Sequence, residues 1–248
     1  MKNIRIGHPL IQLQSVDSTN TYAAQLIRNS EVTEGTVILT VYQSMGKGHG
    51  GNRWISEAGR NLLFSVILRP DFILAERQFY LSMCVSSAIQ EFVMPVGGPV
   101  RIKWPNDILL QGKKVAGMLI ENTVLNLNLH TSVIGIGLNL NQKLFPPELP
   151  NPTSLALVAG REFNASESLN LLLRSLEFHI NRLYEERYAE IKTCYLNNLY
   201  RLNEWADYTD STGAFRGRIV DIADSGMLIV KKENGTERQY GFKEIVFN

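Results

Sequence analysis

Gly46-Lys47-Gly48-His49-Gly50-Gly51-Asn52-Arg53-Trp54 is the chemically densest stretch of the sequence. Four of the six positions 46–51 are glycine, which lets the backbone approach a ligand and aim successive N–H groups at an anion. Lys47 and Arg53 add positive charge, and Trp54 offers a flat apolar surface for a base or ring. Read alone, the segment is equally a surface loop with one buried tryptophan. A second cluster, Lys103-Trp104-Pro105-Asn106-Asp107, packs a cation, an aromatic, a rigid turn, an amide and a carboxylate into five residues. As structure it is turn chemistry around a core anchor, and taken alone that reading is favoured. As chemistry, Asn106 could hydrogen-bond a base or phosphate, and Asp107 could bind Mg²⁺ or accept a proton.

Lys114 stands at the mouth of an apolar strand beside Val115, Ala116 and Gly117, where small residues leave room for a ligand. An edge lysine that guards a strand against aggregation is the structural alternative. Gly135-Ile136-Gly137-Leu138-Asn139 places two glycines in a strand, which marks either close approach of a ligand or a bulge. Two familiar phosphate loops fail here. Gly46, Gly48 and Gly51 match G-x-G-x-x-G, but no helical face follows Trp54 as that fingerprint requires. A Walker A loop would need glycine at 41 and Ser or Thr after Lys47, where Val41 and Gly48 stand. His8, His130 and His179 have no partners suggesting a metal or a triad, and no Ser-His-Asp or Cys-His arrangement stands out. The chemistry needs no nucleophile from the protein.

The elements that must position these residues are legible. Residues 11–16 read as a strand, and Asp17-Ser18-Thr19-Asn20 offers N-caps to a helix carrying Tyr22, Ala23, Leu26 and Ile27. Residues 36–42 read as a buried strand, 62–68 as another, and 75–93 as a helix. Short strands are expected at 100–103, 108–110 and 114–121, and a further one at 132–139. A proline-rich loop covers 141–152, and helices are expected at 166–187 and 189–202. Beyond Asn203 short alternating runs and the hairpin signal Asn234-Gly235 predict a small barrel of four or five strands, joined at about Trp205. The reading is α+β with a mixed or antiparallel sheet over residues 1–205 and a small β-barrel over 206–248.

The 248 residues carry 25 Lys+Arg and 24 Asp+Glu, a net charge of +1, which excludes a generally basic nucleic-acid coat. The tail is balanced too: Arg216, Arg218, Lys231, Lys232, Arg238 and Lys243 face six acidic residues, with no basic stripe. Cys84 and Cys194 cannot build a disulfide framework, and no Cys/His spacing fits zinc, so no metal ligands are assigned. The N-terminus holds Lys2 and Arg5 without the apolar run of a signal peptide. No stretch approaches the ~18 apolar residues of a membrane span. A soluble, reduced, cytoplasmic protein without membrane or nucleic-acid partners is expected.

In this order, the segments resemble those of bacterial biotin–protein ligases (biotin–[acetyl-CoA-carboxylase] ligases). The resemblance rests on Ser18-Thr19-Asn20, Gln43, the glycine loop through Trp54, Lys103 to Asp107, Lys114 to Gly117 and Gly135 to Asn139, and it covers nearly the whole chain. It implies a mixed-sheet catalytic domain with an SH3-like C-terminal domain whose core hairpin is 217–230. It implies ATP and biotin as substrates with Mg²⁺: the biotin carboxylate attacks the α-phosphate to give biotinyl-5′-adenylate and pyrophosphate. An acceptor lysine of a biotin carboxyl carrier protein then displaces AMP. The substrate supplies the nucleophile, and the protein positions, neutralises and shields.

By the same resemblance Ser18, Thr19, Asn20, Gln43, Lys47, Gly48, His49 and Gly117 surround biotin. Arg53, Trp54, Lys103, Asn106, Lys114 and Asn139 serve the nucleotide, with Lys114 at the reacting phosphate. Asp107 assists deprotonation of the acceptor lysine or binds metal. The family loop is typically Gly-Arg-Gly-Arg-Arg-Gly, so His49 and Gly50 are departures, and looser retention of the adenylate is expected. The early first strand leaves no room for the helix-turn-helix domain of bifunctional relatives. Edge strands leave a homodimer open, and loop 45–52 is the segment expected to order on binding. Lipoate–protein ligase is the neighbouring enzyme reading; a binding module built on the barrel is the reading from another class.

Overall fold

A computed structural model describes residues 3–248, so Lys2 lies outside the described residues. The chain runs β1 (Leu10–Val16), α1 (Thr19–Asn29), β2 (Val37–Gln43), β3 (Leu62–Leu68), α2 (Phe79–Val93), β4 (Val100–Lys103), β5 (Asp107–Leu110), β6 (Lys113–Leu125) and β7 (Asn128–Leu138). After these come α3 (Leu155–Ala159), α4 (Ala165–Tyr184), α5 (Tyr188–Asn197), β8 (Trp205–Asp210), β9 (Gly213–Ile222), β10 (Leu228–Lys232), β11 (Glu237–Tyr240) and β12 (Ile245–Phe247). The first seven strands form one mixed sheet, ordered β1-β2-β3-β7-β6-β5-β4. Only β1 and β2 run parallel; the other pairs are antiparallel.

Strand alternation sorts the two faces of this sheet. Leu62, Phe64 and Val66 of β3, with Ile134, Ile136 and Leu138 of β7, join the large core under α2 and α4. Ile67 and Val133 point the other way, into a smaller cluster with Ala23 of α1. On that second face the register aligns Ser65 with Gly135, Gly117 with Gly137 and Leu119 with Gly135. The row of polar and small residues there leaves a hollow that helix α1 covers at one end only. The register is unbroken through Gly135 and Gly137, so these glycines mark close approach rather than a bulge.

The bulge lies elsewhere. Ile108 pairs with Ala116 while Leu109 pairs with Lys114, leaving Val115 as an extra residue on β6. In a regular strand Lys114 and Gly117, three positions apart, would face opposite sides. One inserted residue reverses the parity and brings both to the hollow.

Where the structure departs from the sequence reading, the reasons are local. Helix 75–93 begins as a separate three-residue turn, with α2 proper starting at Phe79. The short α3, capped by Ser154, follows the proline-rich loop, where no helix was expected. Ser18 occupies the N-cap position of α1, but its hydroxyl makes no cap bond; instead Thr19 N–H is taken by Gln43 Oε1 at 2.7 Å. The expectation that no segment reaches the length of a membrane span is also corrected. The helical stretch Ala75–Val96 is 22 residues and apolar enough, although most of it is buried inside the protein as core under the sheet.

The last five strands form an antiparallel sheet ordered β11-β10-β9-β8-β12. The Asn234-Gly235 turn joins β10 to β11, with Gly235 at φ 87°. This sheet docks through Trp104, whose Nε1 donates to Gly226 O at 2.9 Å. Tyr80 adds a bond from its hydroxyl to Asp224 Oδ1 at 2.8 Å. Burial and this carboxylate push the Tyr80 phenol up to about 12, so it remains a donor. Tyr208, Ile219, Leu228 and Val230 share one apolar core with Leu138 and Leu176.

Candidate functional site

The hollow on the α1 face is a cavity of about 410 Å³, within the usual range for a small-molecule site. Its floor is built at the start of α1. Ser18, Thr19 and Asn20 are buried, so their polar groups must be satisfied within the protein or by a ligand. Thr19 Oγ1 donates to Gln43 Oε1 at 3.1 Å, and Ser65 Oγ lies 2.7 Å from both Thr19 Oγ1 and Asn20 Oδ1. Asn20 Nδ2 donates to Glu121 Oε2 at 2.7 Å and Leu119 O at 3.2 Å. Gly135 makes this possible: a Cβ there would stand 2.4 Å from Asn20 Oδ1.

The glycine loop forms one wall. Gly48 N–H donates to Asn52 O at 2.7 Å and Trp54 N–H to Gly46 O at 2.9 Å. Lys47 and Arg53 pair across as an isolated antiparallel bridge. The glycines serve different ends. Position 46 admits no Cβ, because it would lie 2.5 Å from Trp54 O, whereas Gly50 adopts a left-handed φ of 64°. Lys47 reaches Glu121 at 3.7 Å. Burial holds the His49 imidazole below its usual pKa; Asp107 opposes that shift, and Lys243 and Lys114 reinforce it. His49 is therefore neutral at pH 7.

The opposite wall is β5 and the start of β6. Asp107 pairs across with Gly117, and Lys114 Nζ lies 2.7 Å from Asp107 Oδ1 and 5.6 Å from the Trp54 ring centroid. Asn106 donates one amide hydrogen to Met118 O at 2.8 Å, which leaves its second N–H and its carbonyl oxygen for a ligand. Trp54 lies against Gly137, and its indole N–H is buried without an acceptor among the described residues.

A second hollow of about 340 Å³ opens behind Trp54, lined by Ile55, Phe145, Leu149, Pro150, Pro152 and Asn139. Asn52, Arg53, Trp54 and Lys114 line both hollows. The proline-rich loop is held there by Lys114 itself: Lys114 N–H donates to Asn151 O at 2.9 Å, and Thr153 N–H to Lys114 O at 2.8 Å.

Three comparisons match this geometry. Residues 12–139, more than half of the chain, match the model of the biotin/lipoate A/B protein ligase family. The chain belongs to that family. Residues 209–247 match the biotin protein ligase C terminal domain. The chain is 30% identical over 233 residues to the biotin–[acetyl-CoA-carboxylase] ligase of Paracoccus denitrificans, covering 91% of this chain and 95% of that one. It is 30% identical over 253 residues to the bifunctional ligase/repressor BirA of Bacillus subtilis, covering 97% of this chain and 74% of that one. In structure it is similar to the biotin protein ligase from Aquifex aeolicus in complex with biotin and ATP, with TM-score 0.76 and 28% identity over 96% and 98% of the two chains. The fold is thus the expected α+β arrangement of the ligase family, with its separate C-terminal sheet.

Of the residues expected at the site, Ser18, Thr19, Asn20, Gln43, Lys47, Gly48, His49, Arg53, Trp54, Lys103, Asn106, Asp107, Lys114 and Gly117 all line the larger cavity of this ligase. Asn139 does not. Its side chain donates to Thr153 O at 2.9 Å, and it lines the second hollow instead. Sequence reasoning missed Ser65, Glu121, Phe242 and Lys243. Ser65 alone had a local signal, as the one polar residue in the buried strand Leu62–Leu68.

Proposed function

We propose that the chain is a biotin–protein ligase that joins biotin to ATP as biotinyl-5′-adenylate and passes biotin to a lysine of a carboxyl carrier protein. The observation that carries this is the position of Lys114, on the boundary shared by a polar hollow and a more apolar one. A biotinyl adenylate has the same division, with a ureido-bearing end, a purine end and a phosphate between them. On this reading Ser18, Thr19, Asn20 and Gln43 hold biotin. Lys47, Gly48, His49 and Gly117 enclose it, and the purine lies along Trp54 in the second hollow beside Asn139. Arg53, Lys103 and Asn106 serve the nucleotide.

In the first step an oxygen of the biotin carboxylate forms a bond to the α-phosphorus as the bond to the bridging β-phosphate oxygen breaks, releasing pyrophosphate. Lys114 is placed to offset negative charge at that phosphorus, where a fixed cation in a screened site is worth most. In the second step the acceptor amine attacks the acyl carbon, the carbon–oxygen bond to AMP breaks, and the amine gives up a proton. On this reading Asp107, held 2.7 Å from Lys114, takes that proton, and AMP leaves with the bonding electrons. Among the described residues no group of three or more His, Cys, Asp or Glu side chains could cage a metal. Bound with the triphosphate, Mg²⁺ would supply further charge neutralisation, and Asp107 is the carboxylate of the cavity lining that could meet it. Residues 1–205 would form the catalytic domain and 206–248 the SH3-like one.

The test is biotin-dependent ATP–pyrophosphate exchange, with lipoate in parallel because the family includes both substrates. Exchange with biotin alone supports the reading; exchange with lipoate alone moves the chain to the neighbouring activity. Transfer to a purified carrier domain tests the second step.

A further inference from the structure

The turn between β11 and β12 leaves its own sheet and lies against the glycine loop of the first. Lys243 Nζ donates to Gly50 O at 2.6 Å. The His49 and Phe242 rings meet edge to face with centroids 3.8 Å apart. Position 50 has no room for a side chain, since a Cβ would come 2.4 Å from Phe242 Cε1 and 2.7 Å from Lys243 Cε. The space that a side chain at 50 would fill is taken by two residues almost two hundred positions later.

This turn is itself held in an unusual conformation. Lys243 has φ 67°, uncommon for a residue with a Cβ, and Gly241 N–H donates to Glu244 Oε2 at 2.7 Å to fix the turn. Strain of that kind persists where the surroundings over-determine it; here the surroundings are the glycine loop. Lys243 also lines the main cavity, together with Arg53 and Lys103. Lys47 and Lys114 have carboxylate partners; these three cations have none among the described residues. One ammonium hydrogen of Lys243 is used on Gly50 O, and the other two remain for an anion.

We propose that the Phe242–Lys243 turn completes the glycine loop. Phe242 sets the loop's fold through His49, and Lys243 supplies from the C-terminal sheet the cation that the loop lacks at positions 49 and 50. Its anion is the phosphate of the adenylate, so the inference rests on the proposed function for the identity of that anion. Lys243 is a binding and positioning residue; it takes no proton and forms no bond. The C-terminal sheet thereby governs how long the reactive intermediate is retained.

Two readouts on the full chain test this, using Lys243→Met, Lys243→Arg and Phe242→Ala, with Lys231→Met as a control elsewhere on the same sheet. The first needs no substrate: hydrogen exchange in the peptide covering 45–54 should quicken in Lys243→Met and Phe242→Ala but not in the control. The second is the release rate of biotinyl-5′-adenylate. Losing one charge-assisted hydrogen bond should speed release about tenfold in Lys243→Met. Lys243→Arg should restore most of the retention. Unchanged exchange in Lys243→Met overturns the proposal whatever the wild type does with biotin. Unchanged adenylate release in a wild type that makes adenylate overturns it equally. A wild type that makes no adenylate refutes the proposed function and the phosphate role, while loop exchange still decides whether the turn sets the loop.

Discussion

Gly137 and Trp54 are in contact across the site so closely that a Cβ on the glycine would lie 2.4 Å from the indole Cε2. The strand gives up a side chain so that the ring can lie flat on the sheet between the two hollows. Gly117, paired with Gly137 on the neighbouring strand, repeats the arrangement: a Cβ there would lie 3.0 Å from the same ring.

Gly137→Ala should therefore push the indole off the sheet while leaving the strand register intact. Forcing a methyl into a packed site costs ~1–3 kcal/mol, so nucleotide binding should weaken by about tenfold or more, that is, 1.4 kcal/mol per decade. On the proposed reading biotin binds at the far end of the cavity and should lose much less. Separate KM values for ATP and biotin in the exchange reaction check this. Equal losses for both substrates would mean that Trp54 serves the whole cavity.

How much of this was legible beforehand follows from what each feature depends on. The glycine loop and the Lys103 to Asp107 turn are local, so their residue types announce them. The bulge at Val115 depends on pairing between β5 and β6, which a single strand does not encode; without it Lys114 would point into the core face. Glu121 sits in an ordinary alternating strand, and its role exists only because Asn20 of α1 arrives above it. Phe242 and Lys243 are far from the loop in sequence, and only the docking of Trp104 and Tyr80 on the second sheet brings them to Gly50.

Lys114→Met should separate chemistry from folding. Lys114 and Asp107 are 34% and 23% exposed as side chains, and an ion pair so close to solvent adds at most ~1 kcal/mol to stability. The thermal midpoint should move little. On the proposed reading the same ammonium offsets charge at the reacting phosphorus, where removing one such group costs ~10²–10³ in rate. Exchange should fall by that factor while circular dichroism and melting stay near wild type. A variant that melts early would instead make Lys114 a structural lysine.

Glu121→Gln probes the support beneath Asn20. The amide keeps the shape of the carboxylate but removes its charge, weakening the 2.7 Å bond from Asn20 Nδ2 and the contact with Lys47 at 3.7 Å. A hydrogen bond to a charged group exceeds a neutral one by ~1 kcal/mol. Biotin affinity by calorimetry should drop about fivefold, with KM for ATP unchanged. An unchanged biotin Kd would mean that Ser65 and Leu119 O alone orient Asn20.

The C-terminal sheet carries the turn that reaches the candidate site. Its polar centre is Asp210, with a fully covered side chain that accepts from Lys232 Nζ at 2.9 Å, Tyr240 Oη at 2.8 Å and Arg238 at 3.3 Å. Bonds from Thr212, then Lys232, hold this carboxyl well below the usual range, with burial opposing them. A carboxylate with a depressed folded pKa stabilises fully above its unfolded value, about 3.9. That contribution fades as pH falls from there through the folded value, because protonation then favours the unfolded chain. Acid unfolding monitored by Trp205 in β8 should therefore steepen below about pH 4 in the wild type. In Asp210→Asn, whose side chain cannot ionise, the melting temperature should be lower at pH 7 and that part of the acid dependence absent. An Asp210→Asn protein with the wild-type acid profile would place the acid-sensitive group elsewhere.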